Sequence, residues 1–517
     1  MKQVRVQAVV DYSKCSGCDT CAHVWPTMAY VPNVSRPIHG EANSPCNAEC
    51  PIGNDIEGIL QLLQQENWKG AYELLLETNP LPAITGRVCH SPCEKACNRN
   101  EVDGAVSIRA LERALGDWGH RNPVRIIQAP PQKEKVAVIG SGSSGLSCAY
   151  HLKRKGYSVT VFEQHQEIGG ILRYGIPGYR LPKAVLDQEL DRLEAMGVNF
   201  RTGAGWGGNL PESELESYQA VFLGVGFQGC RTLGIPGEDL PQIIRGADFL
   251  AEVNSGRMTE IGSRVLIIGG GNSAVDSART ALRLKAWPVV FYRRTEQDMP
   301  AIAGEVEELK KEGVEIHTLV SPVRYLSDNG RLKEVECIRM ELGEMQADGR
   351  RWPEPVAGAE FRIAADTVIH CIGETGDLDG YPLELGCAGE KIDADAWGRT
   401  SIPKVFAGGD IATGKGTVAD AIFSGQRGAV AIDCFIKGKS VEESPEKRVV
   451  PAHEMNFDYC DPMPRLVIPR IAADIAVTGF QEGVRIALGR AGICRIVSVP
   501  GPHAEVRVGC RALIEGG

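Results

Sequence analysis

The chain has 517 residues, enough for several domains with sizeable cores, and carries a formal net charge of −10 with a pI of about 5.6. That acidity argues against a general nucleic-acid role, and no apolar run approaches the roughly 20 residues that span a bilayer. The N-terminus shows no hydrophobic signal region, so the expectation is a cytoplasmic protein with no membrane partner, in which the 17 Cys stay reduced and a dense Cys cluster means metal ligation.

Eight Cys precede residue 100. Cys15, Cys18 and Cys21 form C-x2-C-x2-C, the opening of a bacterial ferredoxin run. The fourth Cys of such a run stands just before a Pro, and here that place is Trp25-Pro26. The three thiolates therefore need a ligand from elsewhere. A second set follows: Cys46, Cys50 before Pro51, then Cys89, Cys93 and Cys97. Between them, Ile56, Ile59, Leu60 and Leu63, then Ala71, Leu74 and Leu75, recur at helical spacing and predict two short helices. Thiolates gathered at helix ends suit cubane iron–sulfur clusters. Zinc is the rival metal, and the ferredoxin-like stub favours iron.

From Lys135 a short apolar strand runs into Gly140-Ser-Gly142-Ser-Ser144-Gly145, which opens a helix. A second strand follows and ends on Glu163. In such a unit the first glycine makes the turn and the second lets the backbone approach a pyrophosphate. The third lets helix and strand pack, and the acid accepts from a ribose hydroxyl. Next comes Gly169-Gly170-Ile-Leu172, whose backbone suits a second phosphate or an isoalloxazine ring.

The pattern then recurs. Arg264–Ile268 leads into Gly269-Gly-Gly271-Asn272-Ser273-Ala274. Its second strand ends on Arg293-Arg294 instead of an acid, which suits a 2′-phosphate and favours NADP(H) over NAD(H). A third segment, Gly408-Gly409-Asp410, then Gly416-Thr417, delivers an Asp for a ribitol hydroxyl. The helix that follows aims its positive dipole end at a bound anion.

Two fingerprints with a returning Gly-Gly-Asp segment resemble the two-dinucleotide-binding-domain flavoproteins. Val-Phe-Tyr-Arg293-Arg294-Thr-Glu-Gln-Asp-Met-Pro300, the Gly169–Pro182 stretch and the preceding Cys motifs narrow the match. They resemble the glutamate synthase small (beta) subunit family, which includes the N-terminal half of dihydropyrimidine dehydrogenase, over roughly residues 45–440. The resemblance implies FAD at the Gly140 turn, NADP(H) at the Gly269 turn and two [4Fe-4S] clusters. It implies one cluster on Cys50, Cys89, Cys93 and a carboxylate or amide, for which Ser107-Ile-Arg-Ala-Leu-Glu112 offers Glu112. It implies that Cys46 and Cys97 belong to the other cluster. That cluster's usual C-x2-C before Cys46 is missing here, and Cys15, Cys18 and Cys21 are the nearby supply.

The expected fold is α/β: Rossmann-like FAD and NADP domains behind an α-helical iron–sulfur domain. The expected limits are a Cys stub at 1–34, the helical domain at 35–129, a leading FAD-binding segment at 130–245, the NADP domain at 246–364, a returning FAD-binding segment at 365–440 and a tail at 441–517. The expected work is electron transfer: a hydride between NADP(H) and FAD, and single electrons through the clusters to or from a partner subunit or ferredoxin. No catalytic side chain is required. The alternatives are an NAD(P)-linked subunit of a ferredoxin- or aldehyde-linked complex, and an FAD-binding scaffold without nicotinamide activity.

Overall fold

A computed structural model describes residues 42–346, 349–378, 380, 385–414, 416–441, 448–449, 451–454 and 465. Cys15, Cys18, Cys21 and almost all of the expected tail lie outside the described residues.

The first described unit is helical. Helix α1 (Ile56–Gln64) starts at Asp55, whose carboxylate accepts the Gly58 N–H at 3.0 Å. Helix α2 (Trp68–Leu75) starts at Asn67, which accepts the Gly70 N–H at 2.9 Å. Side-chain oxygens at these positions satisfy N–H groups that a helix start leaves open. Helices α3 (Pro82–Val88) and α4 (Ile108–Arg121) complete the unit. Ile59, Leu63, Tyr72, Leu75, Leu111 and Leu115 form its core. Helices α3 and α4 touch backbone to backbone. A Cβ at Gly86 would lie 2.3 Å from the Arg113 nitrogen, and one at Gly116 would lie 2.5 Å from Ala83. Any side chain at either glycine would force the two helices apart.

Strand β1 (Lys135–Ile139), helix α5 (Ser143–Arg154) and strand β2 (Ser158–Phe162) form the first crossover. Helix α6 (Lys183–Ala195), β3 (Asn199–Arg201) and β4 (Ala220–Leu223) follow. The central strands are apolar on both faces, as a parallel sheet covered by helices requires.

The chain then leaves this sheet. It builds β5 (Ile243–Arg245), α7 (Gly246–Asn254), β6 (Arg264–Ile268), α8 (Asn272–Arg283), β7 (Trp287–Tyr292), α9 (Ala303–Lys311) and β8 (Glu315–Thr318). An antiparallel meander comes next: β9 (Val320–Asp328), β10 (Arg331–Met345) and β11 (Arg351–Ala364). Strand β12 (Thr367–His370) returns to the inserted sheet, whose order is β8-β7-β6-β12-β5, all parallel. Finally β13 (Val405–Ala407) pairs with β4, and α10 (Val418–Ile436) packs on α5. The first sheet thus reads β13-β4-β1-β2-β3, also all parallel.

Because β5 and β12 hydrogen-bond into the inserted sheet, that domain begins before and ends after the expected limits of 246 and 364. The crossings between the two sheets lie at a short antiparallel pair, Gly229–Cys230 with Glu374–Thr375. The meander between β8 and β12 is a further departure: no sequence expectation covered it. Beside the helical unit, Ala42–Asn43 pairs in parallel with Arg448–Val449, and Arg465 forms an ion pair with Glu94. Among the described residues no helix is long and apolar enough to cross a membrane.

Candidate functional site

The three glycines after β1 differ in what they face. Gly140 has φ +97°, and a Cβ there would sit 2.5 Å from the Gly224 carbonyl oxygen. A Cβ at Gly145 would sit 2.0 Å from the Gly140 carbonyl oxygen. Both positions are closed by the protein itself. Gly142 is different. Its backbone is extended, open to any residue, and a Cβ there meets only the Gly224 oxygen, at 3.9 Å. Neither strain nor crowding explains glycine at that position; room for something outside the chain does. Next to it, in the first turn of α5, the buried hydroxyls of Ser143 and Ser144 have no partner among the described residues. A phosphate group at this helix N-terminus would satisfy them and meet the positive end of the helix dipole. The site therefore fits the pyrophosphate of a dinucleotide.

Other predicted residues converge here. Gly170 has φ +48°, and a Cβ there would lie 3.1 Å from the Gly142 Cα. A Cβ at Gly409 would lie 3.0 Å from the Ser144 Cβ, and the Gly409 N–H donates to the Ser424 hydroxyl at 3.0 Å. Asp410 opens the short helix Asp410–Thr413 beside them. Glu163 is buried at the end of β2. Its carboxylate accepts the Ser141 N–H and hydroxyl and the His165 N–H, so it braces the turn. Leu172 is fully buried in the core, which leaves its backbone for the expected role. The Thr417 hydroxyl is committed to a capping box with Asp420 at the start of α10, so it orients that helix.

The inserted sheet repeats the geometry. Gly269 is closed by the Cys371 carbonyl oxygen, 2.2 Å from where a Cβ would be. Gly271 caps α8 in extended backbone with nothing within 4 Å of a Cβ. Ala274 is fully buried against the strand. Asn272 accepts the Ile302 N–H at 2.9 Å and Ser273 stands half-buried beside it. At the end of β7 the two arginines part company. Arg293 is exposed, with its guanidinium 5.9 Å from the ring centre of Trp352 on β11. Arg294 is buried, and its Nε donates to the Arg351 carbonyl at 3.0 Å. The expected symmetrical pair is thus one outward-facing cation and one bracing residue. Although the residue is exposed, partial desolvation of its guanidinium, then the charge of Arg294 beside it, lowers the Arg293 pKa from its usual value, and Arg350 adds to that repulsion. An added anion would relieve the crowding of positive charge.

The thiols fall into two groups. Cys89 ends α3, Cys93 lies on the short helix Pro92–Lys95, and Glu112 lies on α4. Cys50, Cys89 and Cys93 are near enough for each to feel the Glu112 charge. Cys46 feels Cys97. Burial pushes Cys46 and Cys89 up to about 12, and pushes Cys50 and Cys93 up as well. Glu112, half-buried, is raised to about 7 by desolvation, while Thr85 and Asn79 donate to its Oε1 and oppose the rise. Desolvated thiols and a carboxyl with raised pKa, offset in part by the Arg109 charge beside Cys89 and Glu112, are groups that a cationic iron–sulfur centre would hold in their charged forms. Several thiols and a carboxyl gathered at helix ends have the donor chemistry of an iron–sulfur centre contacted at its corners by thiolates.

Sequence reasoning missed three contributors. Ser141 ties the turn to Glu163 and accepts the Gly169 N–H at 2.8 Å. Asn79 and Thr85 orient Glu112, and no local signal in the sequence marks them out. Tyr179 and Arg180, in the stretch after Gly170, reach across to α8.

The chain matches the pyridine nucleotide-disulphide oxidoreductase family over residues 134–426, and dihydropyrimidine dehydrogenase domain II, 4Fe-4S cluster, over residues 33–124. It is 36% identical over 418 residues to the glutamate synthase [NADPH] small chain of Halomonas elongata, covering 75% of this chain and 87% of that one. It is 37% identical over 425 residues to the NADP(+)-dependent formate dehydrogenase subunit beta of Moorella thermoacetica, covering 76% of this chain but only 60% of that subunit. Among solved structures, FprA of Mycobacterium tuberculosis in complex with NADPH matches with a TM-score of 0.52 and 20% identity, covering 59% of this chain and 85% of that one. That likeness concerns the fold.

Proposed function

This chain belongs to the pyridine nucleotide-disulphide oxidoreductase family and matches a 4Fe-4S domain ahead of it; from that premise we propose that it is an electron-transfer subunit that takes reducing equivalents from NADPH. The single observation that carries the reading is the pair Gly142 and Gly271. Each is an extended, uncrowded glycine at the start of a helix that follows a parallel strand, and one chain has both.

FAD at the first turn supplies the exchange between two-electron hydride transfer and single-electron steps, and [4Fe-4S] centres supply one-electron carriage. The chain's own residues do the rest. Gly142, Ser143 and Ser144 receive the pyrophosphate at the α5 N-terminus. Glu163 and Asp410 hold sugar hydroxyls. Gly170 and Gly409 let backbone close on the flavin. Gly271, Asn272 and Ser273 receive the second pyrophosphate, and Arg293 meets the 2′-phosphate. Cys50, Cys89, Cys93 and Glu112 hold one cluster, with Asn79 and Thr85 fixing the carboxyl. Cys46 and Cys97 hold the second, completed from Cys15, Cys18 and Cys21.

The partner is a catalytic or electron-accepting subunit, and the protein works in the cytoplasm, where thiolates stay reduced. The test is anaerobic titration of the purified protein with NADPH and with NADH, followed in the visible spectrum. Bleaching of flavin and cluster absorbance by NADPH at lower concentration than NADH is the expected result. Preference for NADH, or a bound flavin that neither nucleotide reduces, would refute the reading.

A further inference from the structure

The stretch from Gly170 to Pro182 touches both nucleotide turns. At its start, Gly170 lies against Gly142. At its end, Arg180 donates to the Asp276 carboxylate at 2.6 Å, and the Tyr179 hydroxyl donates to the Asp276 carbonyl at 3.3 Å. Asp276 lies one turn into α8, the helix that Gly271 opens. Between these ends, Asn254 on α7 donates to the Tyr174 and Ile176 carbonyls, at 2.8 and 3.3 Å. Lys183 closes the stretch on itself by donating to the Leu172 and Ile176 carbonyls.

The junction is built from charge. Arg180, Arg279 and Arg283 face Asp276, Glu305 and Glu312, three cations and three anions. The Arg180 and Asp276 side chains are 10% and 6% exposed. The Tyr179 ring lies beneath two guanidiniums, 4.0 Å from Arg283 and 4.8 Å from Arg279. Buried ion pairs of this kind add little stability beyond what packed apolar groups of the same volume would give. They do impose direction: a 2.6 Å contact between a planar guanidinium and a carboxylate tolerates one register, where apolar faces slide. The cost of desolvating these charges is therefore matched to a need for fixed orientation between two domains.

We propose that Arg180 and Asp276 are positioning residues. They lock the inserted nucleotide domain onto the loop beside the first nucleotide turn, so that the two nucleotide turns keep one relative orientation without a domain rotation. This rests on the function proposed above.

The test uses the full chain with its flavin bound. Arg180→Met with Asp276→Leu replaces the pair by apolar groups and keeps the fold. Arg180→Lys keeps the charge. Tyr179→Phe removes one hydroxyl from the same junction and is the milder variant. Two quantities are read: the limiting rate of flavin reduction at saturating NADPH beside the NADPH Kd, and hydrogen exchange of peptides 170–182 and 272–283 without nucleotide. In the apolar double variant the limiting rate falls at least about tenfold while the Kd stays within about threefold, a loss of transition-state positioning and not of binding. Both peptides exchange faster. Arg180→Lys, which keeps the charge without the planar fork, recovers only part of the rate, and Tyr179→Phe shows a smaller fall in the same direction. An unchanged limiting rate with unchanged exchange in the double variant overturns the proposal. If NADPH fails to reduce the flavin of the unmodified protein, the proposed function falls instead, and the exchange of the two peptides alone decides whether the lock exists.

Discussion

Glu163 and Ser141 hold each other across the first nucleotide turn, with the carboxylate accepting the Ser141 N–H at 3.0 Å and its hydroxyl at 2.5 Å. The same hydroxyl accepts the Gly169 N–H at 2.8 Å. One oxygen atom thus joins the turn, the acid and the next glycine loop. Ser141→Ala removes it and leaves buried groups unpaired, at about 1.5 kcal/mol or more, which weakens FAD retention about tenfold. The measurement is the flavin-to-protein ratio through serial dilution. A variant that holds flavin as tightly as the native protein contradicts this.

Gly142 and Gly145 predict opposite phenotypes. At Gly142 a side chain meets ligand space, so Gly142→Val is expected to give a folded protein without flavin. At Gly145 even a methyl would lie 2.0 Å from a backbone oxygen, so Gly145→Ala is expected to lower the thermal midpoint whether or not flavin is present. A yellow, stoichiometrically loaded Gly142→Val protein would falsify the ligand assignment.

The two arginines after β7 also separate. Exposed Arg293 is expected to set nucleotide choice: Arg293→Ser raises the KM for NADPH by about 1–3 kcal/mol in equivalent energy and spares NADH. Buried Arg294 braces β11 through the Arg351 carbonyl, so Arg294→Ala is expected to lower stability. Steady-state kinetics with both nucleotides, beside a melting curve, checks the pair. Equal effects of Arg293→Ser on NADPH and NADH would refute the 2′-phosphate role.

Iron content tests the cluster assignment. A protein that starts at Val31 lacks Cys15, Cys18 and Cys21. If these complete the cluster on Cys46 and Cys97, it loses about four iron atoms and the two remaining thiols become open to alkylation. Full iron with both thiols protected would show that the stub donates no ligand.

His151 gives a pH signature at the seam between α5 and the helical unit. It is buried, with Nε2 3.3 Å from the Thr78 carbonyl oxygen. Burial, then Arg154, holds its pKa down to about 3, against 6.5 when free. Below pH 6.5 the unfolded chain takes up a proton that the folded chain refuses. The stability contributed by the neutral ring is therefore complete above pH 6.5 and is lost as pH falls toward 3, at about 1.4 kcal/mol per unit. His151→Leu is expected to show a smaller drop in thermal midpoint between about pH 7 and about pH 5.5 than the native chain. Equal drops would count against it.

Much of this was legible in the sequence because the signals were local. A strand, a spaced glycine set and a helix must be contiguous to work, so both nucleotide turns could be read from short windows. The helices at Ile56–Gln64 and Trp68–Leu75 followed from apolar spacing alone. What escaped was set by distant contacts. Nothing near Arg294 announces that the Arg351 carbonyl will bind its Nε, and nothing near Arg180 announces Asp276. The meander Val320–Ala364 escaped for another reason: its strands alternate weakly, with charged residues on the exposed face and irregular register. The limits of the inserted domain were misjudged because β5 is three residues long, too short to carry a periodic pattern.

The return of β13 to β4 has a consequence for how the protein is made. Strand β13 follows the whole insertion in sequence, yet it stands beside a strand that precedes the insertion. During synthesis the ribosome releases every strand of the inserted sheet before the outer sheet receives its last one. The guest domain can close while its host is still open, so the host edge along Ala220–Leu223 waits, apolar and unpaired, until Val405–Ala407 emerges.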